Sequence, residues 1–145
     1  MEQIVVTAAF IRENGRILMA QRLPKGPEGG KWEFPGGKIE PGEDPRSCMR
    51  RELLEELGVR AEVGAVLEVV STVKELRQII IIYFECRITG GELQAIECQE
   101  FKWVSPEEID ALDKPESDAK FWYVWKAKAI AADSNTLIFH YKAMF

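Results

Sequence analysis

The segment from Asp44 to Gly58 constrains this chain more than any other, because its start, its stop and its two faces can all be read from residue types. Asp44 is a good N-cap, Pro45 suits the first helical position, and Gly58 can take the left-handed conformation just past the end, which predicts a helix over about 45–57. Glu52, Glu55 and Glu56 stand at i, i+3 and i+4, so three carboxylates share one face, while Met49, Leu53, Leu54 and Leu57 occupy the broadly opposite one. A helix of this kind must bury its leucines against another layer and present its acids to a cleft or to solvent.

That other layer reads as a sheet. Ile4 to Ile11 and Arg16 to Arg22 form two strand-like runs joined at Asn14-Gly15, a pair that accepts positive φ. Leu23 to Gly42, with Pro24, Pro27 and Pro35, reads mostly as loop, with a short strand at Trp32-Glu33-Phe34. Strand-like runs follow near 61–73, 77–88, 92–98 and 100–104, with Gly90-Gly91 as a turn. Ser105-Pro106-Glu107-Glu108 is a capping box that opens a short helix, Ser117-Asp118 caps a longer one over about 119–132, and Thr136 to Tyr141 alternates like an edge strand. Strands mixed with helices predict an α/β or α+β fold, a mixed sheet with helices on its faces. No repeat or linker divides the 145 residues, so a single domain over 1–145 is expected, with the role of about 134–145 open.

Composition narrows the partners. With 24 acidic and 19 basic side chains the net charge is -5, which gives no broad attraction to a nucleic-acid polymer. The longest apolar run, Ile79 to Phe84, is far short of the roughly 20 residues that cross a bilayer, and Met1-Glu2-Gln3 lacks a basic signal-peptide start. A cytoplasmic protein without membrane partners is expected. Cys48, Cys86 and Cys98 are widely spaced and only His140 could join them, so zinc is disfavoured and the thiols read as small buried side chains.

Three like charges near a helix C-terminus repel one another by about 0.2 to 0.5 kcal/mol per pair and oppose the macrodipole. Arg50, Arg51 and Arg60 could offset part of this, as on an ordinary solvated acidic face. The glycine-rich loop Phe34-Pro35-Gly36-Gly37-Lys38-Ile39-Glu40-Pro41-Gly42-Glu43 points elsewhere, because its glycines permit close backbone approach to a ligand. Carboxylate and carbonyl donors suit Mg²⁺ or Mn²⁺ bridging substrate phosphates. Gly26 to Lys31 has only three residues between its first glycine and Gly-Lys and then Trp32, so it is not a Walker loop.

Gly37-x5-Glu43-x7-Arg51-Glu52-Leu53-x-Glu55-Glu56-x-Gly58-Val59 agrees at every specified position with the Nudix box, and the similarity to the MutT-like branch runs from the N-terminal strands to about Trp103-Val104-Ser105. The resemblance implies an α/β/α sandwich with a loop-helix-loop catalytic box, and a Mg²⁺-dependent hydrolase, with Mn²⁺ a possible substitute, that splits nucleoside triphosphates into monophosphate and pyrophosphate. By position, Glu52, Glu55 and Glu56 would ligate the metal with the Gly36 carbonyl, Glu52 would activate water, Arg51 would orient the glutamates, and Glu43 would support the site. A further acid would come from Glu97, with Glu100 the alternative.

The same resemblance places Arg22 and Arg77 on the substrate, each with a surface cation as its plain alternative, and Asp118 at the base edge or as a helix cap. Phe121-Trp122-Tyr123-Trp125 could stack on a base but fits a core helix better. ADP-ribose and dinucleotide hydrolases of the family usually carry a proline or tyrosine some fifteen residues past the box, where Lys74-Glu75 stand. The competing expectations are a hydrolase of ADP-ribose, a nucleotide sugar or a dinucleotide, and a non-hydrolytic nucleotide sensor. The chain is expected to act as a monomer or homodimer.

Overall fold

The computed structural model describes residues 1–133. In chain order the elements are β1 (Glu2–Glu13), β2 (Arg16–Gln21), β3 (Trp32–Glu33), β4 (Gly36–Lys38), α1 (Pro45–Leu57), β5 (Val59–Lys74), β6 (Arg77–Gly91), β7 (Glu100–Val104), α2 (Pro106–Ala111) and α3 (Glu116–Asp133). The seven strands follow the order β3-β2-β1-β6-β5, with β4 also on β1 and β7 also on β2. β1 runs parallel to β6 and the other pairings are antiparallel, so the sheet is mixed.

Alternation along β1 builds two cores. Ala8 and Phe10 point into a cluster with Tyr83, Ile109, Phe121, Trp122 and Trp125 under α2 and α3. Ala9 and Ile11 point the other way, to Met49, Leu53 and Leu57 of α1 and to Phe84. The aromatics of α3 are thus core, with the Phe121 ring stacked on Tyr83 at 4.1 Å between centroids, while Tyr123 is exposed. Helices on both faces of the sheet make the expected α/β/α sandwich.

Local signals in the sequence are met closely. Asn14 and Gly15 turn with φ of 53° and 75°. Asp44 accepts from the Arg46 and Ser47 amides, Gly58 has φ 72° and donates to the Leu54 carbonyl, and Ser105 and Glu108 close a capping box. Three expectations need correction. The run 92–98 is not a strand: the Gln94 amide donates to the Leu57 carbonyl and the Ile96 and Glu97 amides to the Glu56 carbonyl, so the chain wraps the end of α1, and Gly90-Gly91 closes β6. Within the stretch expected to be loop, Gly36–Lys38 is a strand, because Gly36 lets it lie close on β1 and Gly37 leaves room for the Glu52 carboxyl. α3 begins at Glu116, so Asp118 sits in its first turn and is not its cap. The edge strand expected over 136–141 and His140 lie outside the described residues. Among the described residues no helix is long and apolar enough to cross a membrane.

Candidate active site

α1 carries the acids, but its faces are divided differently from the simple reading. Leu54 is 51% exposed and Glu56 only 6%. Glu56 follows Met49 by seven residues, two turns of helix, so it points with the core-facing side chains. Burial is the main force on its carboxyl, and with the nearby charges of Glu33 and Glu52 it pushes the pKa up to about 8. Burial likewise raises the pKa of Glu52 against the lowering effect of Arg51.

Arg51 organises the rest. Its Nε and Nη2 donate to Glu43 at 2.7 and 2.9 Å, its Nη1 to Glu52 at 2.9 Å and to Glu55 at 3.1 Å, and Nη2 also to the Lys38 carbonyl at 3.1 Å. A planar guanidinium offers donors in a fixed fork, which a lysine in this place would lack. Hydrogen bonds from Arg51 hold the Glu43 carboxyl down at about 2, and Arg51 is in turn held charged. Of the three arginines expected to offset the acids, it is Arg51 that does so; Arg50 donates to Ser47.

The two glycines of β4 are demanded by geometry. A Cβ on Gly36 would fall 1.8 Å from the Thr7 carbonyl oxygen, and one on Gly37 would fall 2.2 Å from the Glu52 carboxyl carbon. The Gly36 amide is hydrogen-bonded to Glu56. Glu97 arrives by way of the wrap around α1, its amide on the Glu56 carbonyl at 3.2 Å, and its charge raises both Glu52 and Glu56. Glu100 lies on β7, in register with Gln21 of β2.

A cavity of about 1030 Å³ opens beside β4. Gly36, Arg22, Arg77 and Asp118 all line it, together with Glu33 and Phe34, and its lining reaches the box only at Gly37 and Lys38. Arg22 pairs with Glu33 at 2.9 Å and Arg77 with Glu2 at 3.1 Å. Asp118 accepts from the Tyr83 hydroxyl at 2.6 Å and from the Phe34 amide at 3.3 Å, and burial followed by the charge of Glu33 pushes its carboxyl up to about 8.

Glu33 and Tyr83 escaped the reading of the sequence. The β2–β3 register sets Ala20 opposite Glu33, which leaves Arg22 within reach of its carboxylate; an arginine and a glutamate on paired strands around a turn were the available signal. Tyr83, hidden in an apolar run, gave none.

Among the described residues no three Cys, His, Asp or Glu side chains already stand at metal-holding spacing. Arg51 draws Glu52 and Glu55 to itself instead. The donors still fit a hard divalent cation: they are all oxygen, and the buried Glu56 is crowded by Glu33, Glu52 and Glu97, whose repulsion a cation would relieve.

An α/β/α sandwich whose capped helix offers clustered acids beside a cavity lined by Arg22 and Arg77 defines a class, that of enzymes working on phosphate chains through a divalent ion. The NUDIX domain model matches residues 1–123. A CTP pyrophosphohydrolase of Escherichia coli (strain K12) is 44% identical over 110 residues, covering 74% of this chain and 80% of that one. An 8-oxo-dGTP diphosphatase of the same strain is 32% identical over 116 residues, covering 79% and 90%. The solution structure of the E. coli ORF135 protein superposes with a TM-score of 0.79 at 36% identity, covering 93% of this chain and 96% of that one. The crystal structure of the MutT protein from Methanosarcina mazei Go1 gives 0.78 at 27%, covering 88% and 95%. The chain belongs to the Nudix family, in its MutT-like branch.

Proposed function

We propose that the protein is a Mg²⁺-dependent pyrophosphohydrolase of the cytoplasmic nucleotide pool that cleaves nucleoside triphosphates to nucleoside monophosphate and pyrophosphate. The observation that carries this reading is the adjacency of two surfaces across β4: the Glu52 carboxyl against Gly37 on one side, and the cavity with Arg22 and Asp118 on the other.

In this reading Glu52, Glu55, Glu56 and Glu97 would hold the ion together with the Gly36 carbonyl. When bound, the ion supplies positive charge against phosphate oxygens and acidifies water. Glu52, its carboxyl raised by burial, takes the proton of the attacking water. Arg51 keeps Glu52 and Glu55 turned toward one point, and its link to Glu43 anchors the loop to the helix. Arg22 and Arg77 steer the polyphosphate along the cavity wall.

Asp118 orients the base. With its carboxyl at about 8 it is mostly neutral at pH 7, so it holds a donor as well as an acceptor. An amino group beside a ring nitrogen, as on cytosine, matches that pair, and the name of the 44% identical relative is in keeping with it. The test is product analysis with Mg²⁺ over CTP, dCTP, the other nucleoside triphosphates, 8-oxo-dGTP and ADP-ribose. Pyrophosphate and one nucleoside monophosphate are expected from the triphosphates; release of orthophosphate, or faster cleavage of ADP-ribose, contradicts the reading.

A further inference from the structure

β5 is the last strand of the sheet, and among the described residues no strand lies beyond it. An edge strand presents unpaired amides and carbonyls, which protein chains usually blunt with bulges, proline or charge. The first half of β5 is blunted: its register with β6 breaks between Val63 and Val66 and again between Val66 and Glu68. From Glu68 to Lys74 the register is unbroken, and the five residues between them, Val69-Val70-Ser71-Thr72-Val73, hold neither charge nor proline. Val69 and Val73 are 51% and 57% exposed.

The outward groups of this stretch can be identified. The Val69 amide donates to the carboxylate of its own neighbour Glu68 at 3.0 Å, so Val69 turns its backbone away from β6, and by strand alternation Ser71 and Val73 do the same. Glu68 and Lys74, one acidic and one basic, stand at equal distance on either side of Ser71 and on the same face of the sheet.

We infer that this edge is an interface for a second copy of the chain, the two β5 strands running antiparallel about a two-fold axis at Ser71. In that register Ser71 faces Ser71 and Val69 faces Val73 as hydrogen-bonded pairs, the Val69 amide exchanging its Glu68 carboxylate for the Val73 carbonyl and so freeing that carboxylate for Lys74. Glu68 faces Lys74 twice by symmetry, on one face of the joined sheet, and the valines meet on the other. Moving the axis by one residue sets Glu68 against Thr72 or Leu76 and loses both ion pairs, so charge selects the register. Lys128, 3.3 Å from Glu68, already holds that carboxylate at the edge.

Light scattering of the full chain across a concentration series tests the inference. The expected mass at high concentration is twice the 16.5 kDa of one chain. Val69→Lys is expected to give the single-chain mass with unchanged circular dichroism and hydrolysis. Glu68→Lys and Lys74→Glu should each weaken association by on the order of tenfold, and the double exchange should restore it. A single-chain mass at every concentration overturns the inference, as does a dimer indifferent to Val69→Lys and to both charge reversals. Slow hydrogen exchange at the Ser71 and Val73 amides in a monomeric sample also overturns it, since another part of the same chain would then cover the edge.

Discussion

Glu56 and Asp118 are buried to the same degree, 6% and 4% exposed, on helices packed against opposite faces of one sheet. Burial pushes both carboxyls up to about 8, and in both cases Glu33 is the second influence. Their surroundings differ. Asp118 receives a phenol and a backbone amide and sits against a stacked pair of rings, Tyr83 on Phe121. Glu56 receives the Gly36 amide and is crowded by the charges of Glu33, Glu52 and Glu97, with Arg22 the cation within range. A buried carboxyl that already receives two donors from the chain is held in a fixed orientation, suited to a neutral ligand, and one left among like charges is poised for a ligand of opposite sign. The contrast separates the metal side of the site from the base side.

The largest effect is expected at Glu56. Glu56→Gln keeps the shape and removes the charge, and turnover should fall by more than about 100-fold, the upper end of what is lost with groups that merely support a ligand. Thermal unfolding should not suffer, because the variant no longer buries an ionisable acid. Steady-state kinetics with near-normal turnover would remove Glu56 from the metal side of the site.

A smaller effect is expected at Asp118, in the pH dependence of stability. A carboxyl raised from the usual range of about 4 to about 8 binds its proton more tightly in the folded chain. Its contribution is therefore complete below about pH 4 and is lost as pH rises through about 8. Asp118→Asn abolishes that loss, so the difference in Tm between variant and native protein should shift in favour of the variant as pH increases from about 5 to about 9. Parallel Tm curves would show that Asp118 does not titrate in this window.

Most of the fold could be read locally. The caps of α1 and α2 and the Asn14-Gly15 turn are decided by the residues that make them, and Gly58 closes α1 where its sequence says it should. The errors came where tertiary contacts decide. The run 92–98 has strand-like composition but spends its amides on the end of α1, and Gly36–Lys38 has no strand pattern but is held by β1. The family box named the acids of α1 and Arg51 in advance. It could not show that Glu56 is turned inward and Leu54 outward, which depends on how the helix is rolled on its core. Glu33 was illegible because its place between Arg22, Glu56 and Asp118 arises from strand register and from the packing of two helices.

Titration calorimetry of the native chain with Mg²⁺, in buffers from about pH 9 down to about pH 6, tests the division most directly. Ligation requires the ionised carboxylate, so affinity should weaken progressively below about pH 8, with protons released on binding and little or no heat from Glu56→Gln. Affinity that ignores pH across that range and survives in Glu56→Gln would contradict the assignment of this buried acid to the ion.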